Sequence, residues 1–144
     1  MINELKLNNQ LCFPVYALSR QITALYRPYL DELGITYPQY LVLMVLWEQG
    51  SATVKRLGEL LWLDSGTLTP LLKRMEMSGL VVRKRSAEDE RVVDIMIADK
   101  GKALEKKAEA IPPVMKEKLG LNDAELKELR DKLNKLLLIT CDNK

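Results

Sequence analysis

The sequence predicts a mainly α-helical protein with a small β-hairpin wing, that is, a winged helix-turn-helix flanked by N- and C-terminal dimerisation helices. Three observations lead to this fold class. Apolar residues recur at helical spacing along much of the chain, two short helical segments are separated by only a few residues, and the stretch after them alternates apolar and polar residues. With 144 residues, 47% of them hydrophobic, the chain can form one compact domain.

The first predicted helix covers residues 11–33. Its apolar residues recur at steps of three or four and so share one helical face: Leu18, Ile22, Leu25, Tyr29 and Leu33. Gly34 then ends the helix as a C-terminal cap. Because proline fits only the first turns of a helix without cost, we expect the helix to begin or to kink at Pro14.

A capping box starts the second helix. Thr36 is the N-cap and Gln39 follows three residues later, and the helix extends to about Glu48. Its apolar run "YLVLMVLW" is far shorter than the roughly 20 residues that span a bilayer. We therefore expect a buried helix and no membrane partner.

Two shorter helices follow, one from Thr53 to near Leu61 and one from Asp64 or Ser65 until Gly79 stops it. After Gly79, "LVVRKR", the polar turn "SAEDE" and "RVVDIMI" predict a β-hairpin, since strict alternation puts three apolar residues on one face: Val93, Ile95 and Ile97. A helix-turn-helix followed by a hairpin is a DNA-reading unit whose second helix enters the major groove.

Helical spacing returns from Lys100, is broken at Pro112 and Pro113, and restarts at Asn122 with Glu125 three residues later. The last helix carries an apolar stripe of leucines: Leu126, Leu129, Leu133, Leu136 and Leu137. Within a single 1–144 domain we assign residues 36–98 to the DNA-binding part and residues 1–35 and 99–144 to a helical dimerisation part. A second copy of the chain is the simplest partner that would bury the apolar stripes of the first and last helices.

Composition argues against several classes of enzyme. The chain has no histidine, which excludes Ser/His/Asp triads, Cys/His pairs and most zinc sites, and it has no phosphate-binding GxxxxGK or GxGxxG loop. We therefore expect no enzyme activity, no metal and no cofactor. Two cysteines and the lack of a recognisable secretory leader favour the cytoplasm. A net charge of +2 does not by itself indicate nucleic acid.

The start of the predicted recognition helix, "DSGTLTP", carries short hydroxyl side chains. Ser65, Thr67 and Thr69 are candidate contacts to phosphates and base edges. Alternatively, these residues only cap the helix. Lys73 and Arg74, further along the same helix, suit phosphate contacts or form a solvated face.

The predicted hairpin is basic. Arg83 and Arg85, both candidate DNA contacts, lie on its first strand. Arg91 stands just past the turn, where a loop can place a guanidinium in a narrow minor groove. Arg91 is the strongest single candidate. The acidic "EDE" before it would repel phosphate if it faced DNA. Either this acidic group holds the arginine through bidentate pairs, a supporting role we assign to Asp89, or the tip faces solvent and binds nothing.

Four segments together resemble one family: "CFPVYALSR", "TYPQYLVLMVLWE", "LDSGTLTPLLKRME" and "GLVVRKRSAEDERVVDI". They resemble the MarR family of winged-helix transcription regulators, and in particular its organic-hydroperoxide-sensing branch, often called OhrR. The similarity covers nearly the whole chain. It implies a homodimer that represses genes by binding an inverted-repeat operator in double-stranded DNA, with the recognition-helix hydroxyls and Arg91 at the DNA.

The resemblance also implies a peroxide sensor. In that branch the cysteine matching Cys12 is oxidised, and tyrosines matching Tyr26 and Tyr37 hydrogen-bond its thiolate across the dimer. Cys12 and Tyr26 are 14 residues apart in one predicted helix, or roughly 21 Å at about 1.5 Å per residue, so they cannot meet within one chain. An antiparallel partner helix could join them. Tyr16, one turn after Cys12, can reach it from the same chain.

The expected chemistry starts from a thiolate that a helix N-terminus and phenolic donors stabilise. An organic hydroperoxide oxidises Cys12 to a sulfenic acid, and a low-molecular-weight thiol then forms a mixed disulfide. The added bulk and lost charge at the dimer seam would shift the winged domains and release DNA. Cys141 does not stand where two-cysteine members carry a resolving thiol, so we expect it to be inert.

Three other functions fit parts of the sequence. A family member that binds a small aromatic ligand would leave Cys12 structural, and its response would survive Cys12→Ser. A thiol peroxidase would turn over peroxide steadily with a thiol reductant. An interaction module could keep the winged fold without binding an operator.

Overall fold

In a computed structural model, residues 2–142 form seven α-helices and one three-stranded sheet. Two short 3-10 helices, Asn3–Leu5 and Leu7–Asn9, precede them. The α-helices are α1 (Cys12–Leu33), α2 (Tyr37–Gln49), α3 (Val54–Leu61), α4 (Ser65–Met77), α5 (Asp99–Ala108), α6 (Ile111–Leu119) and α7 (Asp123–Asp142). The strands are β1 (Ser51–Thr53), β2 (Val81–Arg85) and β3 (Val93–Ile97). The predicted fold class is confirmed: the chain is mainly helical and has a winged helix-turn-helix in its middle.

The ends of the first two helices agree with the local signals in the sequence. Gly34 caps α1 in the left-handed conformation with φ of 70°. The capping box of α2 is complete, because the Gln39 N–H donates to Thr36 Oγ1 at 3.4 Å and the Thr36 N–H donates to Gln39 Oε1 at 3.0 Å. Helix α1 begins at Cys12, so Pro14 lies in the first turn, where the missing N–H removes no intrahelical hydrogen bond.

The turn between α3 and α4 is tight. Trp62 adopts a left-handed φ of 57°, and the N–H of Leu63 donates to the Gly58 carbonyl at 3.0 Å. A Cβ atom at position 58 would lie only 2.9 Å from the Leu63 carbonyl oxygen. Glycine therefore allows the chain to leave α3 and enter α4 within three residues.

The sheet has the order β1-β3-β2, and both pairings are antiparallel. The predicted hairpin is present, with Val81 opposite Ile97 and Arg85 opposite Val93. Strand β1 was not predicted. It has three residues, too few for a recognisable alternation, and it exists because Ser51 pairs with the distant Met96.

The core of the winged unit is made of aliphatic side chains from α2, α3, α4 and β3. Fully buried members are Val42, Leu43, Leu46, Leu57, Leu68, Leu72, Met75 and Ile95. Helix α4 buries one face, with Leu68, Leu71, Leu72 and Met75 inward, so its hydroxyl and basic residues lie on the opposite face. The alternation predicted for β3 is also present, because Ile95 is buried while its neighbour Met96 is exposed.

The chain divides into two compact units, one up to Glu109 and one from Ala110. Helices α1 and α5 belong to the first unit together with the winged part, whereas the sequence interpretation grouped residues 1–35 and 99–109 with the dimerisation segments. The second unit contains α6 and α7. The described residues 2–142 include no helix long and apolar enough to cross a membrane.

In the second unit the predicted helix boundaries are present. Pro112 and Pro113 lie at the start of α6, and Asn122 and Glu125 form a reciprocal capping box at the start of α7. Lys116 pairs with Asp123 across the intervening turn. The leucine stripe of α7 is largely exposed, with 40–45% of the surface of four of its members accessible: Leu129, Leu133, Leu136 and Leu137.

We expect Gly101→Ala to destabilise the fold by about 2 kcal/mol, the usual cost of an overpacked core. Gly101 is buried in the first turn of α5, and an added Cβ would overlap the Leu80 carbonyl oxygen, which is backbone and cannot move aside. Urea denaturation measures the loss.

The matched control is Gly66→Ala in α4, where a Cβ would meet only Asp64 Oδ1, at 3.4 Å. Helix propensity should make this change neutral or stabilising by up to about 1 kcal/mol. Equal effects of the two substitutions would contradict the packing explanation.

Candidate DNA-reading surface and thiol site

The first turn of α4 presents two hydroxyls to solvent. Asp64 is the N-cap of this helix, and its Oδ1 accepts the N–H of Thr67 at 2.7 Å. Capping is therefore carried by the Asp64 carboxylate, which leaves the exposed side chains of Ser65 and Thr67 available for other partners. Thr69 is half-buried.

Two basic residues continue this surface along α4. Lys73 and Arg74 are exposed on the side of the helix opposite its buried leucines. Together with the hydroxyls of the first turn they give α4 one polar, positively charged face. Such a face matches a DNA groove lined with phosphates.

The wing tip holds one arginine in a defined position. Arg91 donates to Asp89 through both Nε and Nη2, each at 3.2 Å, and the Arg91 backbone N–H donates to Asp89 Oδ1 at 3.0 Å. The Arg91 side chain is nevertheless 90% exposed. Of the two readings of the acidic tip, the geometry matches the one in which the aspartate orients the arginine.

This pair changes the titration of the carboxyl group. The pKa of Asp89 lies below its ordinary value because the Arg91 side chain, and then the Arg91 backbone N–H, donate hydrogen bonds to the charged form. Asp89 is therefore ionised throughout the neutral range. Close by, Arg85 Nη1 donates to the Glu90 carbonyl at 2.8 Å and ties the first strand to the turn.

A groove of about 780 Å³ lies between the helix-turn-helix and the wing. Ser65 from the first turn of α4 and Arg91 from the wing both line it, so a candidate contact from each element lies on one surface. Lys55 of α3 adds a positive charge to the lining and Glu59 a negative one.

Arg83 is placed differently from the other basic residues of the wing. Its Nη1 lies 3.9 Å from Glu76 Oε1, its backbone N–H donates to Glu76 Oε2 at 3.3 Å, and its side chain is only 23% exposed. Its Nε is buried without a hydrogen-bond partner in the part of the chain that the structure describes. Arg83 thus joins β2 to α4, while Arg85 and Arg91 are exposed.

Two of the three tyrosines named with the thiol come together in the first unit. The rings of Tyr26 in α1 and Tyr37 in α2 have centroids 4.9 Å apart, and the buried Tyr40 packs against both at 5.9 and 6.3 Å. Burial raises the pKa of Tyr26, and the neighbouring phenols of Tyr37 and Tyr40 raise it further. Burial also raises the pKa of Tyr37. Both phenols keep their protons at neutral pH and can donate hydrogen bonds.

Cys12 is the first residue of α1 and is exposed. Tyr16, one turn further on, is 64% exposed, and its ring lies under the Arg20 guanidinium at 5.5 Å. The structure therefore groups Cys12 with Tyr16 and separates both from Tyr26 along the helix. Cys141, in α7, is a free and exposed cysteine.

Sequence reasoning missed two neighbours of these tyrosines, Tyr40 and Arg20. Their spacing was a usable signal, since Tyr37 and Tyr40 are at positions i and i+3, and Tyr16 and Arg20 are at i and i+4. Residues 2–142 contain no group of three or more histidine, cysteine or carboxylate side chains arranged to hold a metal ion.

Comparison with known proteins identifies relatives of this chain. A family model described as "Transcriptional regulator SarA/Rot" matches residues 24–109. The organic hydroperoxide resistance transcriptional regulator of Bacillus subtilis is 54% identical over 138 residues, which cover 94% of this chain and 92% of the relative.

Solved structures agree with these sequence matches. The structure of reduced AbfR bound to DNA, a Staphylococcus epidermidis protein, matches with a TM-score of 0.78 and 39% identity over 96% of each chain. A MarR mutant from E. coli complexed with operator DNA matches with a TM-score of 0.79 and 27% identity, covering 88% of this chain and 93% of that one.

The winged helix-turn-helix and these relatives identify the chain as a DNA-binding transcriptional regulator. The chain belongs to the MarR family of these regulators, in the branch of the organic hydroperoxide resistance regulator.

We expect the pKa of the Asp89 carboxyl to lie below the ordinary value for aspartate and to return toward that value in Arg91→Met, which removes the hydrogen-bond donors of the arginine side chain. Because the folded-state pKa is lowered, the contribution of this pair to stability is present above the unfolded pKa and is lost as pH falls through the folded one. An NMR titration of the side-chain carboxyl measures both values. An unchanged midpoint in Arg91→Met would show that the pair does not persist in solution.

Proposed function

We propose that this chain is a cytoplasmic homodimeric repressor that binds an inverted-repeat operator in double-stranded DNA and releases it when an organic hydroperoxide oxidises Cys12. The observation that carries the proposal is the geometry of α1. This helix presents Cys12 at one end and Tyr26, beside Tyr37, 14 residues further on. A thiol site that uses these phenols needs a second copy of the chain.

Exposed apolar side chains support the dimer. Around Cys12, the first turns of α1 expose large apolar residues, including Phe13, Val15 and Leu18. In the second unit, α7 exposes its leucine stripe. Contiguous apolar surface of this kind is typical of subunit interfaces, and a twofold dimer covers the same surface on both copies.

In the proposed dimer, the α1 helices run antiparallel, so that Tyr26 and Tyr37 of one copy approach Cys12 of the other. Two features favour the thiolate there. Cys12 lies at the N-terminus of α1, where the helix dipole favours an anion, and the half-buried phenols of the partner, which keep their protons, donate hydrogen bonds to it. Tyr16 is placed to add a third donor from the same chain as the thiol.

The reaction balances with two small molecules. The Cys12 thiolate attacks the terminal oxygen of the hydroperoxide, the O–O bond breaks, and the alkoxide leaves and takes up a proton, which gives a sulfenic acid and an alcohol. A low-molecular-weight thiol then attacks the sulfenic sulfur, forms the mixed disulfide and releases water. The product replaces a small anionic sulfur at the dimer seam by a neutral disulfide that carries a bulky group.

DNA recognition in this proposal uses both elements of the winged unit. The first turn of α4, with Ser65, Thr67 and Thr69, enters the major groove, and Lys73 and Arg74 contact phosphates. Arg91, held by Asp89, enters the adjacent minor groove. Among the remaining wing residues, the exposed Arg85 contacts the backbone, and Arg83 supports the wing from α4 through Glu76.

A second candidate function is a MarR-type regulator that responds to a small aromatic ligand, with Cys12 only structural. A hollow of about 240 Å³ beside Tyr37 favours it, because the lining combines apolar Leu30 and Ile35 with the charged Arg27 and Asp31. Replacing the thiol separates the two candidates.

We expect wild-type protein to leave DNA from its own upstream region when cumene hydroperoxide is added, and Cys12→Ser to stay bound, because serine cannot form the sulfenic acid. A gel-shift assay with and without peroxide measures this. A Cys12→Ser protein that still releases DNA under peroxide would remove the thiol from the mechanism and favour the ligand-binding candidate.

A mixed dimer tests whether the phenols that contact Cys12 come from the partner chain. The rate of peroxide-induced DNA release is followed by gel shift. One chain carries Cys12→Ser and the other carries Tyr26→Phe and Tyr37→Phe, so the single remaining Cys12 thiol faces intact phenols only if they come from the partner. The mixed dimer should react at a rate near that of one wild-type site, whereas the Tyr26→Phe, Tyr37→Phe homodimer reacts slowly. Equally slow reaction of both would place the phenols in the same chain as the thiol.

We expect Arg91→Ala to weaken operator binding by about tenfold or more, as for loss of a specific groove contact. Asp89→Asn should also weaken binding, by a smaller factor, although it removes a negative charge from the wing. Fluorescence anisotropy at fixed salt measures both.

The control is Lys84→Ala, which removes one exposed positive charge from the neighbouring strand. It should cost less than Arg91→Ala. Tighter binding by Asp89→Asn would mean that the acidic tip merely repels phosphate, and equal losses in Lys84→Ala and Arg91→Ala would mean that only total charge matters.

A further inference from the structure

A continuous row of aromatic rings leads from the phenols of the proposed thiol site to α5. Tyr40 packs against both Tyr26 and Tyr37, and Trp47 meets the Tyr40 ring edge-on with centroids 6.1 Å apart. At its far side Trp47 Nε1–H donates to the carbonyl of Gly101, in the first turn of α5, at 2.9 Å. The indole thus connects α2 to α5 by a directional bond as well as by packing.

The residue next to Gly101 connects the same turn to the recognition helix. Lys100 Nζ donates to the Ser78 carbonyl at 2.9 Å, and Ser78 is the C-cap of α4. The Ser78 hydroxyl in turn donates to the Arg74 carbonyl at 3.0 Å. An ammonium group at this position satisfies a carbonyl at the end of α4 and complements the negative end of the helix dipole.

Close packing leaves the first turn of α5 no room to move independently. At Gly101 an added Cβ would overlap the Leu80 carbonyl oxygen, would lie 3.0 Å from Ile97 Cγ1 and would lie 3.4 Å from Leu43 Cδ2. The Ala98 N–H also donates to the Leu80 carbonyl at 3.0 Å. Close-packed interiors transmit strain, so this turn is a physical route by which a displacement of Trp47 would reach the end of α4.

We propose that Trp47 and Lys100 are positioning residues that couple the phenol cluster to the recognition helix. This inference rests on the proposed function. In the reduced dimer, Tyr26 and Tyr37 lie at the thiolate, and the bonds from Trp47 to Gly101 and from Lys100 to Ser78 hold α4 in its DNA-binding position. When the oxidised sulfur displaces the phenols, the displacement reaches α4 through this turn.

The test compares operator affinity in the reduced and the peroxide-treated protein, using cumene hydroperoxide. Trp47→Phe keeps an aromatic ring and removes the N–H, and Lys100→Met keeps the aliphatic stem and removes the ammonium. Each should lower the affinity of the reduced protein about tenfold, within the usual range of allosteric coupling, and leave that of the oxidised protein unchanged. Lys100→Arg should restore most of the loss, because it again supplies a cationic donor.

The matched control is Lys102→Met in the same helix, where Lys102 has only an exposed pairing with Asp99 at 3.9 Å. It should keep the wild-type ratio between reduced and oxidised affinity. The rate of Cys12 oxidation should be the same in all variants, since neither position touches the thiol. Should Trp47→Phe fail to fold, as judged by thermal melting, the Lys100 series decides alone.

Salt dependence separates positioning from direct contact. If Lys100 touched a phosphate, Lys100→Met would lower the slope of log affinity against log salt by about 1. Positioning predicts an unchanged slope in both variants. The inference is overturned if both variants keep the wild-type ratio, or if the losses are equal in the two redox states. Failure of the wild type to release DNA would instead overturn the proposed function.

Discussion

The rise of an α-helix is the constraint on which the proposed mechanism depends. At about 1.5 Å per residue, the 14-residue offset between Cys12 and Tyr26 puts the thiol at the start of α1 and the phenol cluster roughly 21 Å further along it. One chain therefore carries both halves of a thiol site without being able to join them. In the proposal, this separation makes sensing a property of the assembled dimer. The same dimer covers the apolar residues around Cys12, which are exposed in a single chain.

The recognition helix serves two surfaces at once. Its buried face, with Leu68, Leu72 and Met75, fixes it in the core of the first unit, and the opposite face presents hydroxyls and basic side chains. Asp64 caps α4 with its carboxylate, so the hydroxyls of Ser65 and Thr67 remain available on the polar face. On the wing, a short-range pair with Asp89 defines the position of Arg91 while leaving it exposed. In both α4 and the wing, the exposed polar side chains are therefore carried by residues whose positions are fixed by packing or by hydrogen bonds.

The first turn of α5 lies where several parts of this unit meet. Trp47 reaches it from α2, Lys100 reaches from it to the end of α4, and Gly101 lets it approach the Leu80 backbone closely. A side chain larger than hydrogen does not fit there. The same packing that stabilises the unit gives it little freedom to absorb a displacement, so stability and the proposed coupling have one physical origin.

The sequence by itself determined the features that depend on residues close together along the chain. The capping boxes at Thr36 and Asn122, the left-handed Gly34, the period of the hairpin and the candidate pair of Asp89 with Arg91 all involve residues within a few positions of one another. Resemblance supplied the roles of Cys12 and the tyrosines. Tertiary structure alone decided that β1 pairs with β3, that Arg83 turns toward Glu76, that Tyr40 joins the phenols, and that Trp47 reaches Gly101. In these contacts the partners come from different elements, and only the packing of those elements brings them within bonding distance.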